Sequence, residues 1–125
     1  MEKVVEDLRK IIKFKDTTQE GDIVLIIAND PQTIFYALVT DIRRDTSKQD
    51  EWWHLRMHAL AIPPQKFVWT LRTAQFTGRE IFTMGGEKRF IQSVDFENQE
   101  SVTAQEEIQT DQNEKGKFPT LRVVK

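Results

Sequence analysis

The fold is decided by residues 21–96, which begin GDIVLIIANDPQTIFYALVTDI (residues 21–42) and end EIFTMGGEKRFIQSVDF (residues 80–96). Short apolar runs alternate with turn residues along this stretch, a pattern typical of β-strands joined by tight connections. We therefore predict a mainly β fold of about five antiparallel strands, curled into a small sheet or SH3-like barrel. The SH3-like comparison concerns architecture and implies no function.

The strongest local signal is the pair Gly85-Gly86. Apolar runs that alternate with polar residues flank it at residues 80–83 and 88–91. Both central positions of a two-residue hairpin loop take positive φ, which Gly accepts freely. The pair therefore predicts a hairpin. A phosphate-binding loop would need a Gly-Lys-Ser/Thr sequence, which does not follow here.

Residues 23–28 and 33–42 predict the first two strands. The sequence IVLIIA (residues 23–28) is a continuous apolar run rich in β-branched side chains, which indicates a strand buried on both faces. Residues 29–31 (NDP) predict a turn, and the all-polar residues 43–50 predict a loop.

Residues 51–62 fit two structures. As a strand, they place Trp53, Leu55 and Met57 on one apolar face, and as a helix they also align several apolar side chains. We favour the strand because the contrast between odd and even positions is sharper and the neighbouring segments are strands. Pro63 and Pro64 end this element, and residues 67–71 predict the next strand.

Residues 2–13 predict an amphipathic helix. Val4, Val5, Leu8, Ile11 and Ile12 form one apolar stripe, which must cover an open face or end of the sheet. The simplest interpretation of Trp52 is that it packs beneath this helix.

The composition changes after residue 96. Residues 97–114 are dominated by Asn, Gln, Glu, Ser and Thr, and such a segment buries too little apolar surface to offset its ordering entropy. We therefore predict a single globular domain over residues 1–96 and a polar, disordered tail over residues 97–125. Phe118, Leu121 and Val123 lie in a final apolar segment, which is either a frayed terminus, an added strand or a motif for a partner.

The charge is balanced within the predicted domain. Residues 1–96 hold 14 acidic and 14 basic side chains, and residues 97–125 hold 6 acidic and 4 basic, which gives the net charge of −2. A domain dedicated to nucleic acids usually carries a basic excess. The absence of Cys excludes disulfides and thiolate metal sites, and no run approaches the roughly 20 apolar residues of a membrane span. We expect a cytoplasmic protein with no membrane contact.

Five residues form the candidate binding surface. Trp52, His54 and Arg56 alternate on the exposed face of the strand, and Arg43 and Arg44 lie in or beside the preceding loop. Aromatic and cationic side chains together suit a protein contact, and they also stack on bases and neutralise phosphates. The two partner classes stay open at this point.

The sequence predicts no metal site, no cofactor and no enzyme. His54 and His58 are the only histidines, and on a strand they lie ~13 Å apart at ~3.3 Å per residue, too far for one ion to bridge. The carboxylates fall in or beside polar loops, and no serine has the context of a catalytic nucleophile. We predict a non-catalytic binding or adaptor module for a protein partner, with a nucleic-acid-binding small barrel as the alternative and self-association as a further possibility.

Overall fold

A computed structural model describes residues 1–29 and 32–99. Helix α1 spans Glu2–Ile11, and a one-turn helix α2 spans Thr73–Phe76. The strands are β1 (Ile23–Ala28), β2 (Thr33–Arg44), β3 (Trp52–Ala59), β4 (Gln65–Arg72), β5 (Phe82–Met84) and β6 (Glu87–Ser93). A 3-10 helix at Phe96–Asn98 follows the last strand.

The strands form one antiparallel sheet in the order β4-β3-β2-β1-β6-β5. The sheet curls until its two edge strands approach each other, and the ring centroids of Trp69 in β4 and Phe82 in β5 are 6.4 Å apart. The predicted mainly β, curled antiparallel sheet is confirmed. Within the described residues it is a half-barrel of six strands.

The concave side of the sheet holds the main core. Val24, Ile26, Val39, Leu55 and Met57 are all fully buried there. Three neighbouring strands, β1, β2 and β3, supply these side chains, and residues two apart share this face because alternate residues of a strand point to opposite faces. The strand predicted within residues 51–62 is therefore confirmed, and it is β3.

Helix α1 covers the convex side of the sheet over β1 and β6. Val5 packs in a second apolar cluster with Leu25, Ile27 and Phe90 from β1 and β6. Strand β1 thus lies between the main core and the helix, and its four central residues are buried. This confirms the expectation that β1 is buried on both faces.

The glycine hairpin is also confirmed. Strands β5 and β6 pair directly across the turn, with Met84 opposite Glu87. Gly85 and Gly86 have φ values of +63° and +83°. These values belong to the left-handed region, which explains the need for two glycines.

Two local predictions are wrong. Arg43 and Arg44 are the last residues of β2, not part of a loop, because they pair with His54 and Trp53 of β3. Trp52 does not pack beneath α1, because the helix lies on β1 and β6 while Trp52 lies at one end of β3.

The described chain continues past residue 96. Asp95 caps the 3-10 helix by accepting hydrogen bonds from the backbone of Glu97 and Asn98. Gln99 exchanges two hydrogen bonds with the backbone of Lys13, at 3.2 and 2.9 Å. The folded domain thus includes residues 97–99. The rest of the predicted tail, with Phe118, Leu121 and Val123, and residues 30–31 of the predicted turn lie outside the described residues.

Candidate functional site

A β-bulge in β2 decides which side chains share the convex face. The register between β2 and β3 shifts between Val39 and Asp41. Val39 points into the core, and without the bulge Asp41 and Arg43 would point there too. Thr40 is the extra residue of the bulge, and after it the residues that point to each face are exchanged. Ile42 therefore packs against the core, and Asp41 and Arg43 point to the convex face.

Four of the five candidate residues come together on this face. Arg43 pairs with His54, Asp41 pairs with Arg56, and Trp52 lies one step further along β3. Strand β4 adds a third strand to this face, and each of its four convex residues lies directly opposite a convex residue of β3. The pairs are Arg72 with Trp52, Thr70 with His54, Val68 with Arg56 and Lys66 with His58. We call the convex side of β2, β3 and β4 the hairpin face.

Arg44 does not belong to the hairpin face. It pairs with Trp53, which points to the concave side, and its guanidinium carbon lies 5.7 Å from the centroid of that ring. The side chains of Arg43 and Arg44 therefore point to opposite faces of the sheet.

Arg43 is already engaged by a carboxylate. Its Nε donates to Oδ2 of Asp41 at 2.7 Å. This hydrogen bond, together with the charges of Arg43 and Arg56, lowers the pKa of Asp41 below its usual value. Asp41 therefore offsets part of the positive charge of the hairpin face at neutral pH.

Both ring nitrogens of His54 have partners. Nδ1 lies 2.8 Å from Oγ1 of Thr70, and Nε2 lies 3.2 Å from Oδ2 of Asp45. Hydrogen bonds from the hydroxyl and the backbone of Ser47 are the main causes that lower the pKa of Asp45, and His54 and Lys48 contribute further. His54 is thus held in place by its neighbours, and both of its possible metal-binding atoms are occupied.

Trp52 is half-buried between two cations. Lys48 Nζ lies 5.7 Å and the guanidinium carbon of Arg72 lies 5.9 Å from its ring centroid. Such cation–π contacts fix the ring in its position.

Charges are segregated along the chain although their sum is balanced. Residues 52–79, which contain β3, β4 and α2, carry four Lys or Arg side chains and no Asp or Glu. These cations are Arg56, Lys66, Arg72 and Arg79. The total over residues 1–96, 14 acidic and 14 basic side chains, does not show this uneven distribution. Counting the charges segment by segment along the sequence does.

Strand β4 is an edge strand with an uncharged centre. It pairs with β3 on one side, and among the described residues no strand pairs with its other side. Its central sequence FVWTL (residues 67–71) is rich in β-formers, and Val68 is 53% exposed. A long apolar edge of this kind is a template for pairing with another strand.

Arg89 lies where the two sheet edges approach. It sits opposite Phe82 in the β5–β6 hairpin and stacks on Trp69 of β4, with its guanidinium carbon 5.1 Å from the ring centroid. Its Nε is buried and has no hydrogen-bond partner among the described residues. The sequence reasoning missed Arg89 and Trp69, because only the curl of the sheet brings β4 and β6 together.

A depression of about 350 Å³ opens at the other end of the half-barrel, beside α2. Trp53 and Phe76 form part of its lining, and their rings are 6.5 Å apart. Three of its polar side chains form a chain of hydrogen bonds, in which Trp53 Nε1 donates to Thr73 Oγ1 at 3.0 Å and Thr73 Oγ1 donates to Glu51 Oε1 at 2.7 Å.

Residues 1–29 and 32–99 contain no cluster of three or more His, Asp or Glu side chains able to hold a metal ion. In the same part of the chain, no helix is long and apolar enough to cross a membrane. No protein-family model matches the chain, and no curated protein or solved structure matches it significantly.

Proposed function

We propose that this protein is a non-catalytic binding module that holds a protein partner on the β3–β4 hairpin. The observation that carries the proposal is the free edge of β4 with its uncharged centre, FVWTL. Monomeric proteins normally protect such an edge with charges, bulges or a covering segment. Here the edge carries cations only at its ends, at Lys66 and Arg72, which supports pairing with a partner strand.

The hairpin face supplies a second supporting observation. Trp52, Arg56, Val68 and Arg72 form a half-exposed surface of aromatic, apolar and guanidinium groups next to the free edge. Trp and Arg are the residues most enriched at the energetic centres of protein interfaces. A partner strand on β4 would therefore find side-chain contacts on the same side of the sheet.

The side chains near this surface support a binding role over a catalytic one. The pKa values of Asp41 and Asp45 are lowered, mainly by the hydrogen bonds from Arg43 and Ser47. Carboxylates whose pKa is lowered by fixed hydrogen bonds are poor general acids, because a general acid needs a raised pKa.

Quantitative affinity capture with three forms of the protein tests the proposal. The wild type is compared with Val68→Glu, which places a charge beside the free edge, and with Ile11→Glu on α1, a control site that is 73% exposed. We expect at least one protein to be retained by the wild type and by Ile11→Glu, and to be depleted about tenfold on Val68→Glu. Equal retention by all three forms, or retention of no protein, would contradict the proposal.

A nucleic-acid-binding barrel is the second candidate, and the clustering of Arg43, Arg56, Arg72 and Lys66 on the hairpin face favours it. It predicts binding to a single-stranded oligonucleotide that weakens steeply with salt and that is lost in Arg56→Ala. Binding that is absent at low salt, or that does not respond to salt, excludes this candidate.

Two expectations from the sequence belong to the proposal. The protein acts in the cytoplasm, which the lack of Cys supports. The SH3-like comparison describes a small curled sheet, and it carries no function with it.

A further inference from the structure

We infer that the partner segment is an extended strand with acidic side chains, which pairs with the free edge of β4 and whose carboxylate binds Arg89. This inference rests on the proposed function and adds the chemical class of the partner. The observations that carry it are the partnerless Nε of Arg89 and the absence of carboxylates from residues 52–79.

Arg89 is positioned to receive an anion at the edge of the sheet. Its guanidinium stacks on Trp69, a residue of the edge strand itself, and its Nε has no acceptor among the described residues. A buried N–H group without an acceptor is costly, and a carboxylate satisfies it in the bidentate geometry typical of Arg pairs. The stacking on Trp69 holds the guanidinium plane in place before a ligand arrives.

The charges along β4 favour the same kind of occupant. Lys66 and Arg72 lie six residues apart on one face of the strand, with the exposed Val68 and the half-buried Thr70 between them. Neither cation has an acidic partner among the described residues. Acidic side chains spaced six residues apart on a pairing strand would lie opposite both cations, and opposite charges on directly facing strand positions stabilise the pair.

Two other occupants fit less well. A second copy of the chain would bring another β3–β4 hairpin without carboxylates, so it would place cations beside cations and leave Arg89 without an acceptor. The chain's own apolar motif lies within residues 115–125, which carry four cations and no acidic side chain. Neither of these two occupants supplies the missing charge. Residues 97–114 of this chain carry six acidic side chains and no basic one, so the peptide titration that tests the inference is repeated with a full-length variant in which these six are Gln or Asn. Tighter binding of the acidic peptide to that variant would identify the chain's own segment as the occupant and overturn the inference of a separate partner.

Titration of the full-length, isotope-labelled protein with three blocked peptides tests the inference by amide NMR. The first peptide has seven alternating valine and threonine positions, with a glutamate at each end to face Lys66 and Arg72 and a central glutamate to face the concave side, opposite Trp69, where Arg89 lies. The second replaces all three glutamates with lysine, and the third keeps the glutamates but has a proline on each side of the central one, which prevents strand pairing. Each is titrated into the wild type, Arg89→Met and Val68→Lys.

We expect the glutamate peptide to shift the amides of β4 and to bind at least about tenfold more tightly than the lysine peptide, the factor expected of one charge-assisted hydrogen bond. Arg89→Met should lose the part of this preference that the central glutamate contributes. Its melting temperature should not fall below that of the wild type, because the substitution removes a buried N–H group that lacks an acceptor. Val68→Lys should bind the acidic peptide at least as tightly as the wild type.

The remaining outcomes separate the two proposals. If all peptides except the proline variant bind β4 equally well and Arg89→Met has no effect, the acidic class is wrong while the edge remains a binding site. If no peptide shifts the amides of β4, both proposals fail. Shifts of these amides that depend on protein concentration alone identify a second copy as the occupant and overturn the inference.

Discussion

At the scale of single residues, Gly78 connects the α2–β5 segment to helix α1. Its carbonyl accepts a hydrogen bond from Arg9 at 2.7 Å. The same guanidinium donates to Gln92 Oε1 at 3.1 Å, and Gln92 Nε2 donates to the carbonyl of Lys15 at 3.0 Å. Gly78 has a φ of +82°, and a Cβ atom there would lie 2.4 Å from Cδ of Gln92. Both the backbone conformation and the space require glycine at this position.

We expect Gly78→Ala to lower the free energy of unfolding by about 3 kcal/mol, from the backbone strain and from the two hydrogen bonds that Gln92 would lose. Gly21→Ala is the matched control, because Gly21 also has a positive φ, +93°, but no atom lies within 4 Å of its added Cβ. That variant should lose only about 1 kcal/mol. Urea denaturation measures both changes in the free energy of unfolding. Equal changes would show that the clash with Gln92 does not contribute to the loss of stability.

At the scale of elements, α1 packs on the sheet with all of its apolar stripe except Ile11. Val5 is buried against β1 and β6, whereas Ile11 is 73% exposed although the sequence places both in the same stripe. Helical periodicity predicts the stripe, but the way the helix sits on β1 and β6 decides which of its members are covered, and Ile12 is covered while Ile11 is not.

Val5 and Ile11 give a direct test of this packing. Val5→Ala should lower the free energy of unfolding by about 1.5 kcal/mol, from the loss of two buried methyl groups and the space they leave. Ile11→Ala should change it by less than about 0.5 kcal/mol. Thermal or urea unfolding checks both values. A larger loss for Ile11→Ala would mean that the exposed end of the helix is covered in solution.

At the scale of the whole molecule, aromatic contacts join the two ends of the sheet. Trp69 of β4 packs against Phe82 of β5 and beneath the guanidinium of Arg89 in β6. Within the described residues β4 pairs with neither β5 nor β6, so the contact between the two ends of the sheet is made by side chains. The curl of the half-barrel therefore depends on residues that are distant in the sequence.

We expect Trp69→Ala to lower the free energy of unfolding by about 3 kcal/mol, because it removes the ring that links the edge strands. Trp52→Ala removes an equally large, half-buried ring that faces away from the core, and it should cost less than about 1 kcal/mol. Urea denaturation at constant salt compares the two. If Trp52→Ala lowered the free energy of unfolding more than Trp69→Ala, the claim that Trp69 links the two edge strands would be wrong.

The sequence by itself determined the local structure. The run IVLIIA, the Gly85-Gly86 pair and the alternation around Leu55 predicted β1, the β5–β6 hairpin and β3, because burial, φ preference and side-chain alternation are properties of neighbouring residues. The grouping of Trp52, His54 and Arg56 on one face followed from the same alternation.

Only the tertiary structure decided which of these residues meet. The bulge at Thr40 brings Arg43 to the hairpin face and leaves Arg44 on the other side, and no local pattern marks that bulge. The stacking of Arg89 on Trp69 depends on the curl of the sheet, which joins residues 20 positions apart. The curl is the combined result of strand twist and the packing of one shared core, so it is a property of the whole sheet rather than of any segment.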